Sequence, residues 1–143
     1  MPALSSELRE KGEWHLGLAQ KQDSIGLLLR ESCPGYAITA IWYAAYHHVQ
    51  AYLLLRFGRV VREHKEMRFV WRDYPDLDRG VRPVYETLKS RSEWFRYEGG
   101  EFTPAEVDVL RRDMERLRDF LSGKLRRSSP PPSSATPPPA PPP

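Results

Sequence analysis

Tyr43 and His47 stand four residues apart, with His48 directly after, and this spacing opens the chemical reading of the chain. Positions four apart share one face of a helix. The surrounding stretch, residues 36–58, is apolar on nearly every side, which puts such a helix at the centre of a bundle. Polar side chains there need partners, because burying one unmet costs about 1–3 kcal/mol. The chain offers partners further on: His64 and Arg68, again four apart, then Ser92, Arg96 and Tyr97. An imidazole near neutral pH serves as acid or base, and a guanidinium holds a phosphate through two N–H donors. Gathered in one cleft, these groups would suit an anionic ligand. They would also suit RNA cleavage, with His47 or His64 taking the 2′-hydroxyl proton and Arg68 or Arg96 stabilising the charged phosphorane. The competing expectation for His47 is a core histidine bonded to a carbonyl or a tyrosine. His48 lies about 100° further round the helix and would edge the core or reach another subunit. His15, beside Trp14, has no partner visible in the sequence and reads as structural.

Other chemistries find little support. Four histidines without a matching carboxylate pattern make a poor metal site, and neither a metal nor a cofactor is expected. Gly99-Gly100 is a two-glycine turn, not a phosphate loop. The single cysteine, Cys33, excludes an internal disulfide and a cysteine-based zinc cluster, and has no neighbour that would activate it. A net charge of +3, from 22 basic and 19 acidic residues, is compatible with nucleic acid but is no dense basic patch.

The elements that must position these residues read as helices throughout. Ser5 or Ser6 caps a first helix with Leu8, Leu18, Ile25, Leu28 and Leu29 near one face, and Cys33-Pro34-Gly35 breaks it. The second helix starts near Tyr36 and ends at Gly58, a residue suited to a left-handed cap. A short helical piece over residues 64–72 precedes Pro75. The next helix holds Leu77, Val81, Val84, Tyr85 and Leu88, with Pro83 fitting only if the helix starts just before it or bends. The last helix opens on Thr103-Pro104-Ala105-Glu106, a capping box with proline at the first position, and Phe102 and Val107 have the spacing of a hydrophobic staple. Val107, Leu110, Met114, Leu117 and Leu121 then form its apolar stripe. Arg111, Arg112, Arg116 and Arg118 read as a solvated face. The expected fold is all-α, an antiparallel up-and-down bundle of four to five helices, over residues 1–127. Residues 128–143, only Pro, Ser, Ala and Thr, are expected to form a disordered, partly polyproline tail. The amino terminus lacks the layout of a secretory signal, and His47, His48 and Gln50 interrupt the longest apolar run, so a cytoplasmic, non-membrane protein is expected.

The order Tyr36-Ala37, then Tyr43-Ala44-Ala45-Tyr46-His47-His48-Val49-Gln50-Ala51, then His64 after the Gly58 turn, then Arg96-Tyr97 before the final helix, resembles the HEPN superfamily, the higher-eukaryote and prokaryote nucleotide-binding domain. The resemblance covers about residues 5–125 and rests on the order of short motifs. It implies a bundle of four to five helices, often paired as a homodimer. It further implies a toxin–antitoxin or defence setting, with RNA, a nucleotide or a nucleotidyltransferase-like protein as partner. Members that cleave RNA carry a late Arg and, a few residues on, a His; this chain has no histidine after His64. The resemblance therefore implies a binding module with Tyr43, His47, His64, Arg68, Ser92, Arg96 and Tyr97 about its cleft. A metal-independent ribonuclease is the alternative expectation, and a non-catalytic scaffold a third.

Overall fold

The computed structural model describes residues 4–128. Beyond Ser128, the proline-rich tail lies outside the described residues. Six α-helices and one 3-10 turn make up the described chain, and it contains no strand.

The first helix, α1 (Ser6–Leu29), starts where Ser5 Oγ accepts the Leu8 N–H at 3.2 Å. Its partner α2 (Pro34–Phe57) begins two residues before Tyr36, because Pro34 takes a first-turn position where a missing N–H costs nothing. It ends at Gly58, whose φ of +65° is the left-handed conformation glycine adopts freely. The Gly58 N–H then reaches the Leu54 carbonyl at 2.9 Å, and the Arg59 N–H reaches Leu53 at 3.1 Å. A 3-10 turn at His64–Glu66 leads into α3 (Met67–Asp73).

The helix expected through Leu77 and Leu88 is in fact two, α4 (Pro75–Gly80) and α5 (Arg82–Glu98). Pro83 dictates the division. It lacks the N–H that a helix interior needs, so a new helix starts at Arg82 and places Pro83 in its first turn. Val81 closes α4 with its N–H on the Leu77 carbonyl at 2.9 Å. The last helix, α6 (Pro104–Ser128), opens with the expected capping box: Thr103 Oγ1 accepts the Glu106 N–H at 3.2 Å, and Glu106 Oε1 accepts the Thr103 N–H at 3.1 Å.

The central element is α2. Ile38, Ile41, Ala44, Ala45, Val49 and Leu53 are fully buried, although no apolar stripe singles out one face of the helix. Contacts with α1 pair Gly12 with Leu55, His15 with His47 and Gly26 with Ile41, so the two helices run antiparallel. Small residues allow this close approach: a Cβ on Gly12 would lie 2.6 Å from Leu55 Cγ. On its other side α2 meets α5, also antiparallel, with Tyr36 against Phe95, Thr39 against Ser92 and Tyr46 against Tyr85. From α6, Val107, Met114, Leu117 and Leu121 complete the core, each large side chain contributing about 1.5–3 kcal/mol by leaving water.

The arginines of α6 are not uniformly solvated. Arg111 holds Asp23 of α1 through Nε and Nη2 at 2.9 and 3.0 Å. In the same manner Arg30, the residue that caps the end of α1, holds Asp108 at 2.7 Å through both Nε and Nη2. Planar forks of this kind fix the register of two helices, whereas single exposed pairs such as Arg116 with Asp113 contribute little. No helix among the described residues is long and apolar enough to cross a membrane.

Candidate functional site

Between the first half of α2, the 3-10 turn and α5 lies a patch of aromatic and polar side chains. His64 starts the turn and is half-buried among rings of α2: Tyr46 at 4.1 Å, Trp42 at 4.8 Å and Tyr43 at 6.2 Å between centroids. The turn is held in place by Gln50 of α2, whose Nε2 donates to the Val61 carbonyl at 2.9 Å. Burial pushes His64 below the ordinary histidine range, and the positive charges of Lys89 and Arg96 push the same way. The imidazole is therefore neutral at pH 7.

Arg96 approaches from α5. Its guanidinium carbon lies 5.2 Å from the centroid of the Trp42 ring and 4.9 Å from that of Tyr97. Arg96 Nε donates to Ser92 Oγ at 3.1 Å, Ser92 Oγ donates to Thr39 Oγ1 at 3.1 Å, and Thr39 Oγ1 donates to the Gly35 carbonyl at 3.3 Å. This relay satisfies the fully buried Ser92 and holds the guanidinium against the Trp42 and Tyr97 rings. Nη1 of Arg96 meets the Tyr97 hydroxyl at 3.1 Å. What Arg96 lacks is a carboxylate: it makes no ion pair among the described residues. Arg30, Arg59 and Arg111, which are also partly buried, each hold an aspartate.

Three polar atoms beside this patch are buried without a hydrogen-bond partner: Trp42 Nε1, His64 Nδ1 and the Tyr85 hydroxyl oxygen. Tyr85 belongs to the same group, its ring 6.5 Å from Tyr46. Each such atom costs about 1–3 kcal/mol when left unmet. Burial also raises the Tyr46 phenol to about 12, so it keeps its proton at physiological pH. No three His, Cys, Asp or Glu side chains among the described residues come together as a metal ion would require. Across protein family models, curated proteins and solved structures, nothing matches this chain.

Of the residues singled out in the sequence, Tyr43, His64, Ser92, Arg96 and Tyr97 come together here. His47 sits at the border, its ring 5.9 Å from Tyr46, and turns toward α1. There it meets His15, Nδ1 to Nδ1, at 3.0 Å. The reading of His15 as a residue without a partner is thereby corrected: α1 and α2 run antiparallel at a spacing that only tertiary packing sets. Arg68 turns elsewhere, exposed, with its guanidinium 4.6 Å from the centroid of the Phe69 ring. His48 is 8 % exposed and does not edge the core but joins it; burial brings it down to about 4.

Two members of the patch escaped the sequence reading, Thr39 and Trp42. For Thr39 a signal was present in the spacing, four residues before Tyr43 on a face already recognised as chemical; Trp42 lies four before Tyr46, on a face that the spacing had not singled out.

Proposed function

We propose that this protein is a HEPN-like binding module, and that its cleft takes a phosphate of single-stranded RNA or of a nucleotide at Arg96. The observation that carries this reading is the arginine itself, partly buried, aimed by Ser92 and Thr39, and lacking a carboxylate. A guanidinium in such a position favours an oxyanion, such as a phosphate, with two oxygens that accept from its planar fork. Exposed rings beside it suit unpaired bases: Tyr97 is 75 % exposed and Tyr36 is 56 % exposed. Bases stack on such rings with little regard to sequence, at about 1–3 kcal/mol each.

Cleavage is the second reading, favoured by one feature, a neutral His64 close enough to Arg96 to feel its charge. A neutral imidazole can take a proton from a 2′-hydroxyl. His47 serves this reading less well, since its Nδ1 is engaged by His15. The homodimer and the toxin–antitoxin or defence setting belong to the same proposal. Support for a second copy is the outer face of α1, where Trp14, Ile25 and Leu28 are exposed at coiled-coil spacing.

The test is binding of a labelled, unstructured oligoribonucleotide by fluorescence anisotropy. Arg96→Ala is expected to weaken it about tenfold or more, the scale of a charge-assisted hydrogen bond pair. Binding that is equal in wild type and Arg96→Ala contradicts the assignment. The same RNA, run on a gel after incubation, reads the second proposal: cleavage abolished by His64→Ala supports it, and intact RNA removes it.

A further inference from the structure

Tyr52 lies on α2 six residues beyond Tyr46, about 9 Å along the helix and away from the Arg96 cleft. Its side chain is 5 % exposed and lines a cavity of about 220 Å³. The walls are aromatic. Phe57 and Tyr74 stack with ring centroids 4.6 Å apart at an angle of 26°. Lys124, Asp73 and Asp76 supply the polar rim. A dry cavity of about 150 Å³ accommodates benzene, so this one has room for a larger planar ring.

A second cavity, of about 340 Å³, opens directly beside it and shares Asp76 and Lys124. Its character is cationic, with Arg79 and Arg127 joining Lys124 over the Phe120 ring. The carboxylates nearby are already engaged. Asp73 takes Arg59 and Arg72, and Asp76 takes Arg79 and Lys124. Arg127 makes no ion pair with any described residue. It folds back along α6, so that a Cβ on Gly123 would lie 3.4 Å from its Nη1.

We infer that the two cavities form one site for a small molecule that joins a planar aromatic ring to an anionic group. The ring lies in the first cavity against Phe57 and Tyr74, where the Tyr52 hydroxyl donates to it. The anion lies in the second, at Arg127 beside Lys124. Two sources share this chemistry, a nucleoside monophosphate and an aromatic carboxylate, and neither depends on the Arg96 cleft.

Isothermal titration calorimetry on the full chain tests the site with four probes: adenosine 5′-monophosphate, indole-3-propionate, adenosine and inorganic phosphate. One of the two ring anions is expected to bind, and which one identifies the source. Adenosine and phosphate alone are expected to bind at least about tenfold more weakly, since each loses one half of the site. Arg127→Ala should weaken the ring anion about tenfold, and Tyr52→Phe, which keeps the ring and the packing, a few-fold. Arg96→Ala should leave it unchanged. Absence of binding by both ring anions overturns the site, as does binding indifferent to Tyr52→Phe and Arg127→Ala. Binding lost only in Arg96→Ala also overturns it, while supporting the cleft as the anion site.

Discussion

His15 on α1 and His47 on α2 face each other with their Nδ1 atoms 3.0 Å apart. At that distance one ring donates and the other accepts, so the two imidazoles adopt opposite tautomers and a proton on both would repel. Burial, with His47 adding its share, brings His15 down to about 4, and burial, with a smaller contribution from Arg118, brings His48 down to about 4. His47 and His64 are lowered as well, chiefly by burial.

Acid sensitivity follows with a definite sign. A histidine lowered in the folded state binds fewer protons there than in the unfolded chain, so stability falls as pH drops from the unfolded value of 6.5 toward the folded one of about 4. For the buried His48 alone, the loss between pH 7 and pH 5 is on the order of 2 kcal/mol. Urea denaturation at the two pH values measures it. His48→Gln is expected to reduce the difference, and a pH-independent midpoint would contradict the shifts.

The α1–α6 clasp gives a contrast between arginines on one helix. Arg111 and Asp23 have side chains 27 % and 19 % exposed, whereas Arg116 is 78 % exposed. Arg111→Ala should destabilise the fold by about 1–3 kcal/mol, because it leaves a partly buried carboxylate unmatched. Arg116→Ala should cost less than about 0.5 kcal/mol. Thermal melts of the two variants separate these values, and a double-mutant cycle with Asp23→Ala assigns the coupling to the pair.

Glycine substitutions probe the packing of α2 against its neighbours. A Cβ on Gly35 would overlap the Phe95 ring, while one on Gly17 would meet nothing within 4 Å. Gly35→Ala should therefore cost about 1–3 kcal/mol through overpacking. Gly17→Ala, in a partly exposed helical position with open space for the added Cβ, should gain about 0.5–1 kcal/mol. Equal melting temperatures for the two variants would contradict the packing of α2 against α5.

Local chemistry made much of this fold legible. The Thr103–Glu106 box, the Gly58 cap and the Ser5 cap are all written in adjacent residues, and each forms as its neighbours dictate. The burial of α2 was legible too, because its apolar residues leave no polar face. Pro83 was recognised as awkward, but the break at Val81 depends on where the Leu77 and Leu88 sides of the chain pack. Long-range pairings were not legible. Arg111 with Asp23 and His15 with His47 are separated by many residues, and only the antiparallel register of α1 against its neighbours joins them. The same reason explains the cleft: Ser92 and Arg96 announced a shared face, but Thr39 and Trp42 joined them through packing.

The salt dependence of RNA binding tests the role of Arg96 most directly. Each phosphate neutralised on a single strand contributes about −0.7 to the slope of log K against log salt concentration. Measured by anisotropy with an unstructured oligoribonucleotide, Arg96→Ala should make the slope shallower by about 0.7 and weaken binding at every salt concentration. An unchanged slope with unchanged affinity would contradict a phosphate at Arg96.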